Sequence, residues 1–302
     1  MNLGKFMLDK IHRCFLLAIL ALPSAAAAQG WPDLGKLTAT GGVSQLEGAG
    51  GGGLTPWALI SGYGSRDSWG GNAHLTSVRT QDYALDSAGV ALGWHDKLEF
   101  SLAQQAFRGS LAPLDQLVIK QDIAGFKVKL HGDAVYDQDL PWPQVAAGVM
   151  VKRNRGVRGL GALGVSSVTQ LGARDAHGID YYLAATKLYL DQSMLVNATV
   201  RLTKANQMGL LGFGGDLSAR YQPMLEVSAA YMFSRKLVAG VEYRQKPHNL
   251  SVDEEKDYAD VFVAWFPSKH LSVTAAYATL GQITVFNPTR QHGVYLSLQA
   301  GY

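Results

Sequence analysis

The segment from Val294 to Tyr302 reads V-Y-L-S-L-Q-A-G-Y. Alternate side chains of a β-strand point to opposite faces of its sheet. In this segment one face carries only apolar or aromatic side chains, those of Val294, Leu296, Leu298, Ala300 and Tyr302. The other face is more polar, with Ser297 and Gln299. The pattern predicts a strand with one apolar face that ends on an aromatic residue.

Residues 1–28 have the pattern of a secretory signal. Three basic residues precede an apolar stretch from Cys14 to Leu22, and small residues follow it. We expect cleavage before Gln29. The apolar stretch has about half of the roughly 20 residues that a spanning helix needs, which argues against an uncleaved anchor. In a chain with such a signal, the segment 294–302 resembles the closing strand of bacterial outer-membrane β-barrels.

The charge balance and the cysteine content exclude several classes of function. After cleavage, 24 basic and 23 acidic side chains would remain. A chain with so small a net charge lacks the excess of basic residues that is expected of a nucleic-acid-binding protein. The only cysteine, Cys14, would leave with the signal, so we expect no disulfide and no thiolate chemistry. No apolar stretch reaches 18 residues, which excludes a helical membrane protein.

Residues 29–68 form a separate glycine-rich segment. Gly48 and the run Gly50–Gly53 give the backbone conformational freedom and let it approach other groups closely, but they contribute no side-chain packing. The segment is either two additional strands, near 36–46 and 54–63, or a portion of chain folded into the lumen of a barrel. It is not a phosphate-binding loop, because no G-K-[ST] follows the glycines.

Residues 69–302 contain twelve strand-like segments, most of them close to the 9–11 residues of a tilted membrane-spanning strand. They lie near 69–80, 83–95, 97–108, 117–131, 143–153, 179–190, 193–204, 222–233, 236–246, 257–267, 269–280 and 292–302. We therefore predict an all-β protein, a transmembrane antiparallel β-barrel of about 12 strands. If the glycine-rich segment contributes two strands, the number becomes 14.

The connections between these segments alternate in length. Short links lie at 95–96, 191–192, 234–235 and 267–268, and long links at 154–178, 205–221, 247–256 and 281–291. Outer-membrane barrels have short periplasmic turns and longer extracellular loops, so both ends of the barrel segment are expected on the periplasmic side. The link at 132–142 is long for a periplasmic turn and is the weakest part of the count.

Several long blocks resemble one family of proteobacterial proteins. They include E-G-A-G-G-G-G-L-T-P-W-A-L-I-S-G-Y-G at 47–64, A-N-Q-M-G-L-L-G-F-G-G-D at 205–216 and D-V-F-V-A-W-F-P-S-K-H-L-S-V-T-A-A-Y at 260–277. The family is catalogued as a domain of unknown function and regarded as outer-membrane barrels. The resemblance implies an outer-membrane location and this fold, and it brings no activity and no catalytic residues.

Charged side chains of both signs fall on the inward face of neighbouring strands. The candidate luminal residues are Arg201, Glu226, Glu242, Arg244 and Asp260, with Glu99 as a further member. Two interpretations are open. The charges form a constriction that selects solutes by charge, as charged rings do in pores, or they pair with each other and fill a closed lumen.

Three motifs suggest other chemistry, each weakly. His270 and Ser272 have the H-x-S spacing of some outer-membrane lipid hydrolases, but no residue follows nearby to orient the histidine. The sequence Gly159–Gly164 matches G-x-G-x-x-G without the strand and helix that a dinucleotide site needs. The acidic residues near Asp253 are interpreted as a solvated loop rather than a calcium site. We predict no enzyme, cofactor or metal.

The segment Asn206–Asp216 is an unusual extracellular loop, because apolar residues stand among its glycines. It could fold into the barrel mouth as a plug or contact an apolar ligand; the alternative is a loop that packs on the barrel rim. Tryptophans near the strand ends are expected in aromatic girdles at the membrane surface. They are Trp57, Trp69, Trp94, Trp142 and Trp265.

The sequence therefore predicts an outer-membrane barrel that contacts lipid and acts as a porin-like channel or a binding and transport barrel for a small solute. A closed structural or partner-binding barrel is the alternative, and a membrane-embedded lipid hydrolase is a weaker one.

Overall fold

The computed structural model describes residues 35–110, 114–254 and 256–302. The expected signal, residues 1–28, lies outside the described residues. Twelve antiparallel strands form a closed barrel, and two further strands of two residues each form a separate sheet. The separate pair is β1 (Val43–Ser44) and β2 (Gly50–Gly51). The barrel strands are β3 (Trp69–Thr80), β4 (Tyr83–Trp94), β5 (Leu98–Gly109), β6 (Val118–His131), β7 (Gln144–Arg158), β8 (His177–Tyr189), β9 (Met194–Thr203), β10 (Gln222–Ser234), β11 (Leu237–Arg244), β12 (Tyr258–Ser268), β13 (Leu271–Gly281) and β14 (Gln291–Gly301).

The barrel closes through its first and last strands. Leu298 of β14 lies opposite Leu75 of β3, and every other barrel strand pairs with its neighbours in sequence. The count of twelve is thus confirmed. The alternative of fourteen is wrong, because β1 and β2 pair only with each other.

Two of the expected connections are wrong in detail. Strand β7 continues to Arg158, so the following loop begins five residues later than the sequence suggested. Residues 267–268 belong to β12, and the turn after this strand is at 269–270. We call the end of the barrel with this turn the short-turn end. The opposite end, with loops 159–176, 204–221, 245–257 and 282–290, is the long-loop end.

The long link at 132–143 lies at the short-turn end and packs against the barrel. The amide of Leu188 donates to Ala134 O at 3.0 Å. Within the link, the Asp133 carboxylate accepts hydrogen bonds from the amides of Val135 and Tyr136. Partial burial alone would raise the pKa of Asp133, but these hydrogen bonds and nearby Lys129 hold that pKa below its usual value. The link is therefore an ordered turn, although it is long.

Within the described part of the chain, helical structure is limited to 3-10 turns in the long loops, at Gly161–Leu163, Val168–Leu171 and Asn206–Gly209. Among the described residues, no helix is long and apolar enough to cross a membrane.

The outer face of the barrel is mainly apolar and the inner face mainly polar. Burial alternates along most strands, and the exposed positions carry residues such as Leu102, Val261 and Leu296, each more than half exposed. Exposed aromatic side chains lie toward both ends of the barrel. They include Trp69, Trp94 and Trp265 at the short-turn end and Tyr181, Tyr221 and Tyr277 toward the long-loop end. Such an outer surface suits hydrocarbon between two interfacial belts.

Trp57 does not belong to these belts. It is buried inside the barrel, where its Nε1 donates to the hydroxyls of Thr55 at 3.1 Å and Ser228 at 3.0 Å. The expectation of a girdle position for Trp57 is wrong, because the chain around it lies in the lumen.

A charge placed on the outer face tests whether that face meets lipid. Val263→Arg, in the middle of β12, is expected to destabilise the barrel by about 2–4 kcal/mol, because it puts a cation at the bilayer midplane. Leu237→Arg, opposite Trp265 at the short-turn end, is the matched control and is expected to cost about 0–1 kcal/mol. Urea unfolding in phosphatidylcholine vesicles measures both. Equal effects of the two substitutions would contradict a lipid-facing surface.

Candidate functional site in the barrel lumen

Residues 35–64, which we call the plug, fill the lumen from the short-turn end. Every residue from Ala39 to Gly64 is buried. At its start, Lys36 Nζ lies 2.7 Å from Asp96 Oδ1, in the turn between β4 and β5. Burial lowers the pKa of Lys36, and its ion pair with Asp96 opposes that effect. At its end, the amide of Tyr63 donates to Tyr302 O at 2.9 Å. Both ends of the plug are therefore held at the same end of the barrel.

The glycines of the plug permit backbone contacts that no side chain would allow. A Cβ atom at Gly52 would lie 2.0 Å from Glu242 Oε1. A Cβ atom at Gly51 would lie 2.3 Å from Thr55 O, across the tight loop of the plug. Real Cβ atoms do not approach other atoms so closely, so the glycine run is required by close packing inside the barrel.

Glu47 is the centre of charge pairing between the plug and the barrel wall. Its Oε2 lies 2.8 Å from Arg244 Nη1 and 3.5 Å from Arg201 Nη2. Its Oε1 forms an ion pair with Lys152 Nζ. Three strands, β7, β9 and β11, thus converge on one plug carboxylate.

Two wall carboxylates complete this cluster. Asp180 Oδ2 lies 2.5 Å from Lys152 Nζ and 3.3 Å from Arg201 Nη1. Glu226 Oε1 lies 2.5 Å from Arg201 Nε and 3.3 Å from Arg244 Nε. The six-residue cluster contains three cations and three anions, all almost fully buried: Glu47, Lys152, Asp180, Arg201, Glu226 and Arg244. The charges balance only when the plug supplies Glu47.

Glu99 belongs to a second site, nearer the short-turn end. Its carboxylate accepts hydrogen bonds from the plug amides of Gly50 at 3.0 Å and Ser61 at 2.8 Å. It also pairs with Lys127 Nζ at 3.0 Å, and Lys127 donates to Gly50 O and Leu59 O. Glu99 therefore holds the plug backbone and lies apart from the six-residue cluster.

Glu242 also binds the plug, whereas Asp260 does not. Glu242 accepts hydrogen bonds from the Leu54 amide at 2.8 Å and the Thr55 hydroxyl at 2.7 Å. Asp260 lies directly opposite Glu242 on β12, and within the described part of the chain its Oδ1 has no hydrogen-bonding partner. Of the six candidates from the sequence, Arg201, Glu226 and Arg244 come together in one cluster. Glu99, Glu242 and Asp260 lie elsewhere in the lumen.

The sequence reasoning missed Glu47, Lys152, Asp180 and Lys127. The three wall residues occupy inward positions of regular strands, β6, β7 and β8, so continued alternation would have identified them. Glu47 lies among glycines outside any regular strand, and no periodic signal marks it.

Residues 205–215, which we call the inserted loop, close the lumen from the long-loop end. Met208 O accepts hydrogen bonds from Lys152 Nζ and Gln121 Nε2, both at 3.2 Å. Asn154 Nδ2 donates to Leu210 O at 2.7 Å. Of the interpretations of this loop, the structure supports the one in which it folds into the barrel mouth.

The other motifs are not assembled into a site among the described residues. His270 Nδ1 lies 2.9 Å from Gly301 O, while the Ser272 hydroxyl has no hydrogen-bonding partner among the residues that the structure describes. This histidine and serine therefore do not form a nucleophile–base pair. The segment Gly159–Gly164 contains a 3-10 turn in an exposed loop. No group of three His, Cys, Asp or Glu side chains that could hold a metal ion occurs within residues 35–110, 114–254 and 256–302.

Comparison with known proteins identifies the family. Residues 40–299 match the family described as "Protein of unknown function (DUF3034)". The chain belongs to this family. No curated protein matches the chain.

Solved structures with a similar chain path include two porins and one enzyme. The NanC porin has a TM-score of 0.49 and 9% identity, over 76% of this chain and 98% of that one. The KdgM porin has a TM-score of 0.45 and 11% identity, over 76% of this chain and 99% of that one. Outer membrane phospholipase A from Escherichia coli has a TM-score of 0.40 and 9% identity, over 80% of this chain and 94% of that one. At such scores the similarity does not indicate which activity this chain has.

Neutralising Glu47 tests the six-residue cluster. Glu47→Gln leaves an uncompensated buried cation, so the free energy of opening of the plug is expected to fall by about 3–5 kcal/mol. Hydrogen exchange of the amides in residues 43–61 measures this opening. The double variant Glu47→Gln with Lys152→Met restores the charge balance and is expected to recover part of the loss.

A surface ion pair provides the control. Arg155 and Asp122 form a pair on the outside of the barrel near its long-loop end, with 58% and 31% of their side chains exposed. Asp122→Asn is expected to change stability by about 0–1 kcal/mol and to leave plug exchange unaffected. If the plug amides of the Glu47→Gln variant exchange at the wild-type rate, the cluster does not hold the plug.

Proposed function

We propose that this protein is a porin-like channel of the outer membrane whose lumen is closed by its own plug. A small solute passes when the plug moves. The observation that carries the proposal is the six-residue cluster, in which charged side chains of the wall are balanced by a carboxylate of the plug. The location is supported by the apolar outer face, the exposed aromatic residues toward both ends and the signal expected in residues 1–28.

The polar wall suits a passage for water and solute. When the plug leaves, the wall retains Lys152, Arg201 and Arg244 beside Asp180 and Glu226. These groups would then be hydrated, and charged rings of this kind select solutes in other pores. In this proposal the short-turn end faces the periplasm, and the plug enters the barrel from that side.

A closed structural barrel is the second candidate. It is favoured by the complete burial of residues 39–64, which leaves the lumen filled in this conformation. The two candidates differ in whether the plug moves, so a reversible tether between plug and wall separates them.

A disulfide between the plug and β10 provides this tether. The hydroxyl oxygens of Thr55 and Ser228 lie 2.6 Å apart, so the ends of the two side chains meet and cysteine sulfurs at these positions would be within reach of each other. We expect the reduced Thr55→Cys/Ser228→Cys variant to conduct ions in planar bilayers and the oxidised variant to conduct at least tenfold less. Addition of a reductant should restore the current in the same membrane.

Each single cysteine variant is the control and should conduct equally with and without oxidant. Glu47→Gln, in the background without cysteines, is expected to increase the fraction of time that the channel is open. If the oxidised double variant conducts as well as the reduced one, passage does not require movement of the plug at this point. If no correctly folded variant conducts, the protein is a closed barrel.

A further inference from the structure

An apolar cavity of about 60 Å³ lies between the plug and the inserted loop, at the long-loop end. Leu46 and Leu54 of the plug form its inner side, and Met208 and Leu210 of the inserted loop line it as well. Among the described residues that line it, none carries a charged side chain. Since burying an unpaired charge in such surroundings is costly, the cavity suits only an uncharged molecule.

The chain that covers the cavity is strained. Gln207 and Met208 have φ angles of +44° and +62°, which residues with a side chain rarely adopt. Such backbone conformations cost free energy and persist only where surrounding contacts enforce them. The enforcing contacts here are polar: Lys152 and Gln121 hold Met208 O, and Asn154 holds Leu210 O.

The polar side-chain atoms of Gln207 are hydrogen-bonded, in part to other residues that line the cavity. Its Oε1 accepts from the Tyr258 hydroxyl, and its Nε2 lies 3.5 Å from Ile283 O. Its Nε2 also donates to Asp253 Oδ1 at 2.8 Å, and its Oε1 accepts from Lys246 Nζ at 3.2 Å. The side chains of Phe107, Leu211 and Leu280 at the edge of the cavity are only half-buried. The cavity therefore has an apolar interior and a partly exposed side through which a molecule could enter.

Lys152 connects the cover of the cavity to the plug. The same Nζ that donates to Met208 O is paired with Glu47 of the plug. A molecule that enters the cavity and displaces Met208 would thus disturb a residue of the six-residue cluster. It would also contact the plug directly, at Leu46 and Leu54.

We propose that this cavity is a binding site for a small, uncharged apolar molecule of about the size of one aromatic ring, and that residues 206–211 are its lid. This inference rests on the proposed function and deepens it, because it names the chemistry of the molecule that the long-loop end accepts. The resting cavity is smaller than the roughly 150 Å³ that holds benzene in an engineered protein cavity. Binding of such a ring therefore requires the lid to move.

Two probes separate a site with a lid from a static packing defect. Xenon fits a small rigid void, whereas iodobenzene fits only if the lid moves. Crystals of the protein purified from membranes are exposed to each probe, and the anomalous signal of xenon or iodine locates it. We expect both probes in the cavity of the wild type, and we expect the Met208 O contacts to be broken when iodobenzene is bound.

Two alanines of β13 give a matched pair of variants. Ala278 lines the cavity, and Ala276 is an inward, buried residue of the same strand that does not line it. Ala278→Val should abolish iodobenzene binding in the cavity, and Ala276→Val should leave it unchanged. Leu280→Trp, at the half-buried edge, provides a second blocking variant if Ala278→Val does not fold.

Three results would overturn the proposal. The wild-type cavity could bind xenon but not iodobenzene, it could bind neither probe, or the blocking variants could bind iodobenzene as well as the wild type does. None of these measurements depends on conductance, and the disulfide experiment needs no ligand. A plug that gates conductance while the cavity stays empty would refute only the binding site. A cavity that binds iodobenzene in a protein that never conducts would refute only the channel.

Discussion

Near the bilayer midplane, a charged side chain on a barrel strand can point only to lipid or to the lumen, and this constraint determines the interior of the protein. A charged side chain that faces lipid at the midplane costs about 2–4 kcal/mol, so the charged residues there occupy strand positions that face the lumen. There the plug replaces bulk water, and each charge needs a partner inside the protein. Lys152, Arg201 and Arg244 exceed Asp180 and Glu226 by one charge, and Glu47 of the plug supplies the missing carboxylate.

The backbone of the plug imposes a second demand on the wall. Only two pairs of residues in the plug form strand structure, so most of its amides and carbonyls lack regular partners. Buried backbone groups must nevertheless be paired. Side chains of the wall fulfil this role: Glu242 accepts from the Leu54 amide, Thr199 donates to Pro56 O, and Gln105 donates to Leu46 O. The polar lumen is thus a surface shaped to bind one particular irregular chain.

The barrel was predictable from the sequence because its physical cause is local and repeats. Alternation along each strand separates lipid from lumen, so the pattern alone predicts that Arg201, Glu226 and Arg244 face inward. The plug has no such repeat. Glu47 pairs with Lys152, Arg201 and Arg244, which lie 105, 154 and 197 positions away from it in the chain. Only tertiary packing brings these side chains together. Trp57 was misplaced for the same reason, since an aromatic residue near a glycine run looks the same in a girdle and in a lumen.

The kind of contact that holds the plug bears on whether it can leave. Buried ion pairs contribute little net stability, because their attraction is largely offset by the loss of hydration. When water enters the lumen, these charges regain their hydration, whereas a separated apolar interface would stay exposed at a continuing cost. A plug held by Glu47, Glu99 and Glu242 is therefore easier to displace than an apolar plug of the same size. The apolar contacts of the plug at Leu46 and Leu54 face the cavity under the lid, where an apolar molecule could cover the surface that movement exposes.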